Sequence, residues 1–248
     1  MSPTQHTSTI TSETPSRVRD AKSTPNGQKV QIFLEELADV YGTEWTTTVI
    51  DISTNVQKSD WFLRLNPNGR IPVLLDNVQS PPLPVMETSA ELLYLARQVD
   101  TRNVFSFAEN DTASYSEALQ WLFFWHGSGA PYHGQVIHFA ILAKEKLPYA
   151  ITRFTNELLR VFGVLEIRLS GKYIGQPREY LAGPGAGKYS VADMGTWPWI
   201  KLWMFTGITE EQMSEFPHLR QWLDRIEGRT AVQRAMGDKY KKVDDLKL

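Results

Sequence analysis

The 248-residue chain contains no cysteine. That absence removes disulfide frameworks, thiolate metal sites and a protein-borne cysteine nucleophile. If thiol chemistry takes place here, the sulfur comes from a ligand. An excess of one charge is missing too: 26 Lys and Arg stand against 28 Asp and Glu, a net of −2. No polybasic face follows from that balance, so nucleic acid and anionic membranes are poor partners. No apolar run approaches bilayer-spanning length, and the first residues lack the apolar stretch of a secretory signal. Arg17 and Arg19 would suit a mitochondrial presequence, but Glu13 and Asp20 argue against one. A reducing, cytoplasmic setting is expected. Histidine is scarce. His126, His133 and His138 lie near one another, yet their spacing makes no metal face and no acid is paired with them, so no metal is expected.

What is present is 42% hydrophobic residues, enough for one large domain or two small ones with real cores. The stretch Ser23–Ala38 organises the first half. Pro25, Asn26 and Gly27 are turn residues. After them Val30, Phe33, Leu34, Leu37 and Tyr41 recur at helical spacing. Thr24 and Asn26 therefore sit at a helix N-terminus, where a thiolate, carboxylate or phosphate is stabilised. Taken alone, Asn26 reads first as an ordinary helix cap.

Residues 1–22, rich in Ser and Thr, lack apolar periodicity and read as a disordered tail. A strand is expected at Thr46–Ile50 and a short helix after Ser59. Another strand with Pro72 near its start follows, Pro72 lying at a sheet edge or carrying a cis bond. A Pro-rich loop and a short strand at Val85–Met86 lead to a helix opening at Glu87-Thr88-Ser89. Thr88 and Ser89 are candidate caps, and Glu87 is an acid suited to the helix dipole. This is an α/β unit followed by a hairpin. Its first strand is weak or missing: Arg17–Lys22 carries four charges, unlike a buried central strand.

From Asp111 onward the pattern is helical throughout. One helix ends near Gly127-Ser128-Gly129, a second runs over 136–144, and a long one starts at Pro148. Ser190 and Asp193 form a capping-box-like start to an apolar, centrally buried run from Met194 to Phe205. Another helix begins at Pro217, and a charged tail follows from Asp238.

Taken together these features resemble the glutathione transferase superfamily. The motifs Thr24–Val30, Asn66–Pro72, Leu119–Phe123, Pro148–Ile151, Tyr189–Asp193 and Trp197-Pro198-Trp199 are similar to the bacterial Nu-class members and to fungal proteins like the yeast nitrogen-regulation prion protein. The resemblance implies a thioredoxin-like glutathione-binding domain at 23–100, an all-helical domain at 110–237, a tail at 238–248, and a homodimer. It implies glutathione as cofactor, with Thr24 and Asn26 at its sulfur. Gln57 would take the glycyl carboxylate, and Ile71, before a cis Pro72 and beside Arg70, would pair with the cysteinyl backbone. Glu87 would take the γ-glutamyl ammonium and Thr88 its carboxylate. The family usually has serine at the Thr88 position, so the hydroxyl is kept. Arg153 would reach the site. Trp125, His126, Tyr132 and His133 would line a pocket for a small, hydrophobic second substrate. The implied activity is thiol–disulfide oxidoreduction. Conjugation, elimination or isomerisation of one metabolite, and a non-catalytic regulatory role, stay open beside it.

Overall fold

The computed structural model describes the backbone of residues 17–21 and all of 24–240. Most of the expected tails, residues 1–16, 22–23 and 241–248, lies outside the described residues. The chain divides into two compact units, Met1–Arg102 with Thr230–Leu248, and Asn103–Arg229.

In the first unit, β1 (Arg17–Ala21) pairs in parallel with β2 (Thr46–Ile50), in a register running from Arg17 opposite Thr46 to Ala21 opposite Ile50. The weak or missing first strand is therefore present, and the expected tail stops short of it. A parallel ladder bonds backbone to backbone, and β2 brings the buried Val49 and Ile50 to the pair whatever β1's composition. Between the two strands runs α1 (Pro25–Tyr41), closed by left-handed Gly42. Its Val30, Ile32, Phe33, Leu34 and Leu37 are completely buried, each worth about 1.5–3 kcal/mol. The short helix α2 (Asp60–Leu63) follows. The hairpin β3 (Leu74–Asp76) and β4 (Leu83–Val85) is antiparallel, with Leu74 opposite Val85, and β3 lies beside β1. Helix α3 (Thr88–Gln98) packs on α1. Neither Thr88 nor Ser89 caps it, because Glu87 occupies the cap position.

The second unit is helical: α4 (Thr112–Phe124), α5 (Ala130–Ile137), α6 (Pro148–Ser170), α7 (Val191–Ile200), α8 (Glu210–Ser214) and α9 (Pro217–Glu227). The glycines at 127 and 129 do not end α4 as expected. A π-helical turn, Trp125–Gly129, carries it into α5, and a second, His138–Leu142, follows α5. Gly129 makes room instead of a break: a Cβ there would stand 2.1 Å from the Trp125 ring. The expected buried run to Phe205 stops at Ile200, and Met204 and Phe205 are exposed.

Sequence reading placed residues 230–237 in the helical domain. The chain instead returns: α10 (Thr230–Ala235) packs on α1 within the first unit. Glu35 of α1 fastens it, accepting from Arg234 Nε at 2.8 Å, Tyr240 Oη at 2.6 Å and Lys239 Nζ at 3.3 Å. Burial would raise the Glu35 carboxyl, but these bonds hold it below the usual carboxylate range. Glu35→Ala strands the buried Tyr240 hydroxyl and is expected to cost about 2–3 kcal/mol in urea unfolding. In the parent protein this stabilisation is whole above the ordinary glutamate pKa and is lost as pH falls through the lowered one. The E35A difference should therefore shrink in strongly acidic buffer.

Candidate functional site

Thr24 is the N-cap of α1. Its backbone is extended and its Oγ1 accepts the Gly27 N–H at 3.3 Å. The cap is thus Thr24, with Pro25 in the first turn, and Asn26 lies inside that turn. Both Thr24 and Asn26 are half-buried. No acidic side chain sits in the first turn, so the positive end of the helix dipole is not neutralised there by its own sequence.

A second helix start lies on α3. Glu87 is exposed, and its backbone takes φ 69°, ψ 117°, which L residues rarely adopt. Asn68 Nδ2 donates to its Oε1 at 3.2 Å. Asn68 is itself placed by the Asn66–Arg70 turn. Its N–H donates to Asn66 Oδ1 at 3.0 Å, and Asn66 Nδ2 donates to the Arg70 carbonyl at 2.8 Å. Gly69, at φ +61°, completes the turn; a Cβ there would meet the Gln57 carbonyl at 2.9 Å. Gln57 Nε2 donates to the Ile52 carbonyl at 3.1 Å. Ile71–Pro72 is cis, Pro72 buried and Ile71 half-buried, while the Arg70 side chain is exposed.

Behind α3's start, Lys29 Nζ of α1 stands 3.2 Å from Thr88 Oγ1. Lys29 is 2% exposed and Thr88 7%. Burial pushes the Lys29 ammonium down to about 7, against the pull of Glu91 and Glu87. The first unit thus joins an anion-favouring helix end to an exposed carboxylate beside a braced hydroxyl.

Comparison with known proteins decides the family. The model of the glutathione S-transferase N-terminal domain matches residues 24–98, and that of the C-terminal domain residues 148–225. Disulfide-bond oxidoreductase YghU of Escherichia coli is 35% identical over 85% of this chain and 70% of its own length. The chain belongs to the glutathione S-transferase family. A solved glutathione transferase homologue from Lodderomyces elongisporus, with two glutathiones per subunit, is 36% identical with a TM-score of 0.79, covering 90% of this chain and 98% of that one. The nitrogen regulation fragment of the yeast prion protein Ure2p is 30% identical with a TM-score of 0.78, covering 91% and 97%.

The remaining expected residues of this transferase belong to its second unit. Arg153 is exposed on α6. Tyr132 is half-buried, its ring 6.3 Å from Phe154, and Phe154 stacks on Phe139. His126 is half-buried near Phe123. Trp125 and His133 do not line an open pocket as expected. They are 1% and 0% exposed, because His133 is packed among Trp125, Phe162 and Trp199. Burial pushes the imidazole down to about 3, so it is neutral at working pH. Among the described residues no helix is long and apolar enough to cross a membrane, and no group of three His, Cys, Asp or Glu could hold a metal.

Sequence reading missed Lys29 and Asn68. A signal for Lys29 existed. It extends the apolar Phe33–Leu37–Tyr41 row by one step of four, a place for a buried side chain. Glu91 stands in the same relation to Leu95 on α3. Two opposite charges on two apolar faces point to one buried cluster.

Proposed function

We propose that this chain is a glutathione-dependent enzyme of the disulfide-oxidoreductase type. The observation that carries the reading is the α3 start, where exposed Glu87 and braced Thr88 offer opposite polarities to one amino-acid head. Glu87 takes the γ-glutamyl ammonium, and Thr88 takes the carboxylate. Ile71 offers its backbone to the cysteinyl residue, and Gln57 a donor to the glycyl carboxylate. Thr24, Asn26 and the α1 dipole hold the sulfur as thiolate, lowering a pKa of about 8.5 by roughly one to two units. Bound there, glutathione supplies the sulfur this chain lacks: two thiols reduce one disulfide to two thiols and leave glutathione disulfide. The name of the Escherichia coli relative and the two glutathiones in the Lodderomyces elongisporus homologue support this reading. The protein acts as a homodimer in the cytoplasm.

Calorimetric titration with reduced and with oxidised glutathione tests it. Heat with both, with tighter binding of the oxidised form, is the expected result. Tighter binding of the reduced form would move the reading to conjugation or isomerisation of a metabolite. No heat with either, at two temperatures, would overturn it in favour of a non-catalytic role.

A further inference from the structure

The contact between Lys29 and Thr88 has a direction. An ammonium carries three donors and no acceptor. Lys29 Nζ donates to Thr88 Oγ1 at 3.2 Å, and in the charged form, held up to about pH 7, it offers that oxygen no acceptor in return. The hydroxyl has one hydrogen, and with Lys29 on one side of its oxygen that hydrogen turns to the other. Both groups are buried, on α1 and α3 respectively, so water does not compete on the Lys29 side. The charges facing Lys29 from α3 are Glu91 and Glu87. Glu91 is completely buried, and its charge helps to keep a cation at this depth.

We propose that Lys29 is a positioning residue which fixes the Thr88 hydroxyl as an outward donor and so makes the α3 start select a carboxylate over a neutral or absent group. It does so without touching the ligand, by deciding which way Thr88 is polarised. The inference rests on the glutathione reading and names what discriminates the γ-glutamyl end. A serine at position 88 would serve equally, whereas a valine would not.

The test is calorimetric, with two ligands. One is glutathione. The other is 4-aminobutyryl-cysteinylglycine, which keeps the ammonium and the thiol but lacks the γ-glutamyl carboxylate. Lys29→Met is expected to weaken glutathione about tenfold or more, the size of one hydrogen bond to a charged group, and to leave the analogue within about threefold. Thr88→Val should do the same, and the double variant should be no worse than either single one. Thr88→Ser should bind glutathione as the parent does. Because Lys29→Met removes a positive charge that faces buried Glu91, Lys29→Met/Glu91→Gln provides the same readout should the single variant not fold. Equal weakening of both ligands, unchanged glutathione binding, or additive losses would overturn the proposal. A parent protein that binds no glutathione would overturn the functional reading and this inference together. A parent that binds glutathione and the analogue equally would overturn the inference alone.

Discussion

Asp193→Ala is expected to cost about 3–5 kcal/mol, because it leaves several buried donors unmet at about 1–3 kcal/mol each, partly relieved by relaxation. Asp193 is completely buried at the start of α7. Four donors converge on it: Leu181 N–H at 3.0 Å, Ser190 N–H at 3.0 Å, Ser190 O–H at 3.2 Å and Trp222 Nε1–H at 2.9 Å. They come from the loop before α7, from its cap and from α9, so one carboxylate ties three segments of the second unit. Alanine strands all four, and each buried donor left unmet costs about 1–3 kcal/mol. Against a total stability of about 5–15 kcal/mol the variant is at the edge of folding. Asp193→Asn keeps an acceptor but turns an amide toward the same donors, so it too should lose stability. Urea unfolding followed by tryptophan fluorescence measures both. A loss under about 1 kcal/mol for D193A would refute the keystone role. Burial pushes this carboxyl up to about 6 against its donors. From the ordinary aspartate value up to about 6 the folded state therefore holds a proton that the unfolded state has released, and Asp193's contribution falls as pH rises through that window. That slope is opposite to the one from Glu35.

Glu87→Gly separates function from stability. The glutamate carries the exposed carboxylate proposed to bind the ammonium, and it holds a positive φ. Such a sparsely populated conformation costs an L residue about 1–3 kcal/mol and a glycine far less. Glu87→Gly should therefore unfold within about 1 kcal/mol of the parent, while Glu87→Ala, which keeps the strain, should be less stable than the glycine variant by about 1 kcal/mol. Both should lose about 10- to 150-fold in glutathione affinity, the value of one charge-assisted bond of roughly 1.5–3 kcal/mol. Calorimetry and thermal unfolding on the same samples check the pair. Binding retained by either variant would remove Glu87 from the site. An alanine variant more stable than the glycine one would show that the backbone at position 87 is not strained.

The legible parts of the fold were those set by local chemistry. Helix α1 follows from its apolar row and turn residues. Pro148 and Pro217 each stand in the first turn of their helices, α6 and α9, where a missing N–H costs nothing. Asp193 was recognisable as structural from its spacing to Ser190. Illegible parts depended on distant partners. β1 looked too charged for a strand, but what holds it is the backbone of β2. Gly127 and Gly129 looked like a helix end; whether Gly129 breaks a helix or admits a tryptophan ring depends on where Trp125 turns, and spacing does not give that. In the candidate site, Thr24, Asn26, Glu87 and Thr88 stood out from sequence. The groups that brace them did not, because Asn68 lies 19 residues from Glu87 and Lys29 lies 59 from Thr88.

The return of residues 230–240 to α1 has a consequence for synthesis. A ribosome makes the first 102 residues, then all of Asn103–Arg229, and only afterwards the segment that covers α1. The helical unit is contiguous and can close as soon as it emerges. The unit bearing the proposed glutathione site, although begun first, stays open along one side of α1 until Arg234 and Tyr240 arrive. Vectorial production thus makes the earlier unit the later one to mature, and competence to bind glutathione should appear only once residues 230–240 have been added.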